Sequence, residues 1–171
     1  MTRYDIVPER SSVWIEATSN VHPIRTRTDG LEGFLDVVLG DGGQLDLDLS
    51  PKAELSLSVS RLSSGNVLED RELQRRIDAR RFRTIDGRLT EMRATDRDDR
   101  YLVRGDVTFR GVTKSYEQEM TVAQLDEQTL QLDGRATFDI REFGMEPPRI
   151  LMFRVRPEVD VRVEVVARKE G

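Results

Sequence analysis

The sequence predicts an all-β fold, an antiparallel barrel or sandwich interrupted by one helix. Three observations carry that prediction. Apolar and polar residues alternate with period two through most of the chain. Turn-forming clusters separate the alternating runs. One segment alone has helical spacing behind a capping residue. No repeated strand–helix–strand unit is present, which argues against a parallel sheet.

The elements follow in order. In Ser11–Ala17, Val13, Ile15 and Ala17 share one face, and Ser12, Trp14 and Glu16 the other, so Trp14 is expected outside. Leu45, Leu47 and Leu49 alternate with Asp46 and Asp48, which reads as a strand over 44–49 with the two carboxylates protecting its outer face. The same beat runs through 54–60, 101–110, 129–140 and 157–166. Turn chemistry lies between these runs, at Thr28-Asp29-Gly30, Gly40-Asp41-Gly42-Gly43, Asp86-Gly87, 96–99 and 125–128. The exception is 66–77. Asn66 is placed to cap a helix, with Glu69 closing a capping box. Acids lead and arginines follow, as the helix dipole favours. Leu73 and Ile77 are i,i+4 neighbours, and Val67 and Leu68 extend their apolar patch. One helix inserted among strands is expected to cover the end or side of a barrel.

Composition narrows the function. The 171 residues suit one domain, 1–171. Thirty-two acidic against 27 basic side chains, a net charge of -5, exclude a strongly basic nucleic-acid binder. With no Cys and a single His, thiolate catalysis, disulfides and multi-imidazole metal sites within one chain are excluded; no metal or cofactor is expected. No phosphate-binding glycine loop, dinucleotide fingerprint or nucleophile elbow occurs. The first residues lack the charged start and apolar run of an export signal, so a cytoplasmic location is expected.

Several blocks together resemble the YceI-like family: Ser11-x-Val13-x-Ile15, Gly33-Phe34, an acidic helix region ending near Phe82, Gly105-Asp106-Val107-Thr108-Phe109-Arg110-Gly111-Val112-Thr113-Lys114, and Ile140-Arg141-Glu142-Phe143-Gly144. The Arg-Gly-Val-Thr-Lys block is the most specific of these. The resemblance covers nearly the whole chain. It implies an eight-stranded antiparallel lipocalin-like β-barrel that holds a polyisoprenoid or another long amphiphile. With no export signal in its first residues, the chain is expected to fall in a non-exported subgroup.

The inward face by alternation is Val13, Ile15, Ala17, Leu35, Val37, Leu55, Leu57, Val59, Val103, Gly105, Val107, Phe109, Leu132, Gly134, Ala136, Phe138, Ile140, Val159, Val161 and Val163. It is apolar and rich in small residues. By composition alone a filled and a hollow interior are equal; the resemblance implies the hollow one. The candidate ligand-binding set is Val13, Ile15, Leu35, Val37, Leu57, Val59, Leu73, Ile77, Phe82, Val107, Phe109, Ala136, Phe138, Ile140, Met152 and Phe153, with His22 and Arg149 as polar groups at the mouth.

Each polar candidate has a plainer explanation. His22 beside Pro23 fits a turn histidine. Asp139, Arg141, Glu142, Glu146 and Arg149 fit an ion-pair network at a barrel end. The arginines from Arg71 to Arg83 are diluted by interleaved acids. The expected function is non-catalytic binding, storage or transfer of a long apolar lipid, a polyisoprenoid or an isoprenoid quinone. Its partners would be that amphiphile and, transiently, a membrane or a second copy. Two rivals stand beside it: an enzyme using His22 with Arg141 or Arg149 on a lipid or small acid, and a filled barrel that acts as a dimeric interaction module.

Overall fold

A computed structural model describes residues 1–150 and 153–170, Ile150 and Phe153 by backbone alone. Eleven strands are described: β1 Thr2–Ile6, β2 Ser12–Ser19, β3 Pro23–Asp29, β4 Glu32–Val37, β5 Lys52–Ser58, β6 Thr84–Ala94, β7 Arg100–Phe109, β8 Val112–Asp126, β9 Thr129–Asp139, β10 Arg149–Ile150 and β11 Phe153–Lys169. One helix, α1 Val67–Ile77, lies between β5 and β6. All strand pairings are antiparallel, and they close into an eight-stranded barrel.

The difference between eleven strands and eight has a physical cause. β1 and β2 form one wall of the barrel, broken at 7–11, and β3 and β4 form the next, broken at 30–31. β11 is the seam: it pairs β9 over 158–168, β2 over 155–164 and β1 over 167–169. β1 then pairs β4 and closes the ring. The break at 7–11 would orphan backbone groups of β11. Ser11 repairs it: its hydroxyl accepts from the Val166 N–H at 3.0 Å and donates to the Val166 carbonyl at 3.3 Å, fully buried. A buried amide left unpaired would be costly, so the serine fixes how the two half-walls meet. Where β4 crosses β5, Gly33 sits at φ +142° and any Cβ would run into the Glu54 carbonyl oxygen, so only glycine permits that approach.

The barrel has two unlike ends. At one lie the termini, the turns at 95–99 and 126–128, and the 38–51 loop. At the other lie the β2–β3 turn, α1, the Arg110–Gly111 turn and the 140–148 segment. The first end is tightly filled. Tyr4, Val37, Tyr101, Val122, Leu130, Leu132, Val165 and Ala167 are all buried, and the Tyr101 hydroxyl accepts from the Leu45 N–H at 3.0 Å to pin the 38–51 loop.

Three expectations are corrected here. Asp86-Gly87 is no turn: both residues lie inside β6, paired to β5 on one side and β7 on the other, so the glycine serves close packing rather than chain reversal. The alternating run 44–49 is no strand. Leu45 makes one isolated bridge to Leu39, and Leu47–Leu49 form a short 3₁₀ turn because the Asp46 carboxylate accepts from the Asp48 N–H at 3.0 Å. That local bond competes with a ladder, leaving Leu49 50% exposed. In α1, Asn66 accepts from the Leu68 and Glu69 N–H groups as expected, but its own N–H goes to the Ser64 hydroxyl rather than to Glu69. Of the four apolar residues of α1 marked in the sequence, only Leu73 and Ile77 turn toward the barrel. Val67 and Leu68, 66% and 58% exposed, face away from it, on the side of the first turn opposite Glu69 and Asp70, which line the upper lobe.

Candidate functional site: a two-lobed apolar bore

The barrel is hollow. Two cavities of about 250 and 240 Å³ lie within it, and six residues line both: Leu55, Gly87, Val107, Phe138, Val161 and Val163. These six form a waist between an upper lobe under α1 and a lower lobe above the filled end. A Cβ on Gly87 would lie 2.9 Å from Leu55 Cδ1, so the absence of a side chain there keeps the waist open. Together the lobes match the size of small-molecule pockets, roughly 300–1,000 Å³.

The inward face read from alternation lies almost wholly on the bore, although other residues complete the lining. Of the inward face expected from the sequence, every residue but Val59 lines one lobe or the other. Val59 is buried in a short turn, and its carbonyl accepts from the Gln74 side chain at 2.7 Å, so it seats the helix rather than the bore. Of the remaining candidate residues, Leu73 and Ile77 reach the upper lobe from α1. Phe82 lies outside the lining, between the guanidinium groups of Arg81 and Arg110 at 5.0 and 5.6 Å from its ring centre. Met152 and the Phe153 side chain lie outside the described residues.

The polar candidates do not converge on the bore. His22 is exposed in the β2–β3 turn, with Nδ1 2.8 Å from the Pro23 carbonyl oxygen. Arg149 is exposed in β10. Arg141 forks onto Asp139 at 2.7 and 3.0 Å, and that bond holds the Asp139 carboxyl below its ordinary range. Glu146 binds Arg76 at 3.0 Å. Trp14 is on the outer wall, with Arg162 and Arg27 over its ring at 5.0 and 5.5 Å.

Residues that the sequence did not mark complete the site. Leu31 and Leu62, both buried, close the upper lobe where β3 leaves the sheet. On β8, Tyr116, Gln118, Met120 and Val122 face the lower lobe, their alternation with Glu117 and Glu119 hidden in the sequence by the polar Gln118. The Tyr116 hydroxyl donates to Glu142 at 2.7 Å. Burial, then the bond and charge of Glu142, push the Tyr116 phenol well above its ordinary value.

Arg110 organises the cover of the upper lobe. It adopts φ +52° in the β7–β8 turn. Its guanidinium donates to the Ile77 carbonyl at the end of α1 (3.2 Å), to the Phe143 carbonyl (3.3 Å) and to the Gly144 carbonyl. One side chain thus ties α1 to the 140–144 turn across the mouth. The arginine of the most specific sequence block is the clamp of the lid.

A family model described as a YceI-like domain matches residues 4–167. No match was found among curated proteins. Among solved structures, the chain is similar to BcnA of Burkholderia cenocepacia (TM-score 0.78, 16% identity, 95% of this chain and 99% of that one). It is also similar to a polyisoprenoid binding domain from Saccharophagus degradans implicated in plant cell wall breakdown (TM-score 0.77, 11% identity, 99% and 100%). A third is the Campylobacter jejuni YceI protein (TM-score 0.66, 12% identity, 86% and 85%). At these identities the solved structures speak for the shape of the barrel, and the family model, spanning nearly every strand that builds the bore, makes the chain a member of the YceI-like domain family.

Proposed function

We propose that this protein binds, stores or hands on a long apolar lipid, a polyisoprenoid or an isoprenoid quinone, without making or breaking a bond in it. The observation that carries the proposal is the waist: two apolar lobes that share six lining residues inside one barrel, suited to a thread-like tail. Each CH₂ moved from water into such a bore contributes about 0.8 kcal/mol, so a long tail is held without any polar anchor, after ordering costs. That a similar barrel from Saccharophagus degradans is described as polyisoprenoid binding supports the same class of ligand. The exposed, turn-bound His22 and the Asp139-paired Arg141 give the enzyme reading no array inside the bore.

The test is gentle purification followed by native mass spectrometry and organic extraction. A retained mass of several hundred daltons that extracts as an isoprenoid is expected. An empty chain that takes up no added long-chain isoprenoid would sink the proposal.

A further inference from the structure

The barrel wall is incomplete between β8 and β9. We infer that this slit seats the ligand's polar head, an anionic oxygen group on an isoprenoid tail, with Arg135 as its cation. The inference rests on the carrier reading above.

The β8–β9 ladder starts at Asp126↔Thr129 and stops at Met120↔Gly134. Beyond it, β8 pairs only with β7 and β9 only with β11. The slit runs from Met120 to Tyr116 on β8, about 13 Å at roughly 3.3 Å per residue. Its lower edge is a close seat: a Cβ on Gly134 would lie 3.0 Å from Met120 Cγ, so the thioether rests on bare backbone. Its upper edge is Tyr116 against Phe138, ring centres 4.6 Å apart.

Gln118 shows that the slit opens to solvent. By register it points inward with Tyr116, Met120 and Val122, and it lines the lower lobe; yet it is exposed. A groove on the outer wall and the lower lobe share Gln118, Met120, Gly134 and Arg135. Inside and outside therefore meet at these four residues.

The charges beside the slit are uneven. Arg100 is matched by Glu119 at 3.2 Å, and Arg162 by Asp133 and Glu164 at 3.9 and 3.8 Å. Arg135 makes no ion pair among the described residues. An unmatched guanidinium at an opening into an oily bore suits a phosphate or carboxylate whose tail lies within, and the Gln118 amide adds a donor and an acceptor.

The experiment compares farnesyl monophosphate with farnesol, which share a tail, by calorimetric titration of the delipidated full chain. The native protein is expected to prefer the phosphate by roughly tenfold or more. Arg135→Ala should lower phosphate affinity to that of farnesol and leave farnesol unchanged, while Arg149→Ala keeps the preference. A preference that survives Arg135→Ala, or no preference in the native protein, overturns the inference and spares the carrier reading. If neither compound binds the native protein, the inference falls; the carrier reading falls with it only if a long-chain isoprenoid is refused as well. In this cysteine-free chain Gln118→Cys supplies a single thiol; bound farnesyl monophosphate should slow its reaction with a maleimide, and an unchanged rate overturns the slit as the head's seat.

Discussion

The two ends of the barrel are closed by different means. The end bearing the 38–51 loop is closed by side chains on paired strands: Leu130 and Ala167 are wholly buried, and Tyr101 pins the loop from below. The other end is closed by segments outside the ladders. α1 and the 140–148 turn lie across it, held by the Gln74–Val59 bond, the Arg76–Glu146 pair and the three carbonyl bonds of Arg110. A floor built into the sheet can open only with the sheet. A cover fastened by a few side-chain bonds opens at the cost of those bonds, which is the asymmetry a bore needs if a long tail enters and leaves by one door.

The largest expected effect tests the floor. Leu130→Ala should cost about 2–5 kcal/mol in denaturant unfolding, because the strands around it leave a cavity that cannot collapse. Leu73→Ala, at the half-buried inner face of α1, should cost clearly less. Equal losses would erase the distinction between the ends. Next comes the repaired wall. Ser11→Ala leaves the buried Val166 N–H without a partner and should cost about 1–3 kcal/mol. A loss of a few tenths would mean that water replaces the hydroxyl.

The waist sharpens the comparison by separating the lobes. Val107→Trp, if the bore is one passage, should weaken long isoprenoids by about tenfold, near 1.4 kcal/mol, while a short alcohol filling the upper lobe alone keeps its affinity. Equal weakening of both would mean that the lobes are not used as one channel.

The smallest effect concerns Tyr116. Tyr116→Phe removes its bond to Glu142 and should cost about 1 kcal/mol at neutral pH. The folded phenol has a raised pKa, so its contribution is fully present below the unfolded value of about 10 and is lost as pH rises through the folded value. The gap between native protein and variant should therefore narrow in unfolding titrations above about pH 10. A constant gap would show that the phenol is not held protonated by the fold.

The strands and their inward faces were legible because period-two alternation is a direct record of which side chains meet water. Nineteen of the twenty expected inward residues line the bore, and Val59 departs only because β5 turns away before it. Alternation misled at 44–49, where an aspartate bonding its own backbone turned a strand-like pattern into a turn. It was masked on β8, where Gln118 interrupts the apolar beat.

Some blocks were visible without their reasons. Ser11 and Arg110 stood out as parts of a family pattern, but a serine that splices a broken wall to β11 and an arginine that fastens a lid act across 155 and 33 residues of chain. By itself the sequence determined the class of fold, the apolar face of each clear strand and the helix with its cap, since all of these are local in origin. The tertiary structure alone decided that the bore is hollow, that its two lobes meet around Gly87 and that its wall parts between β8 and β9. Those are properties of how distant strands fit around one axis, and volume left between side chains is written in no single segment.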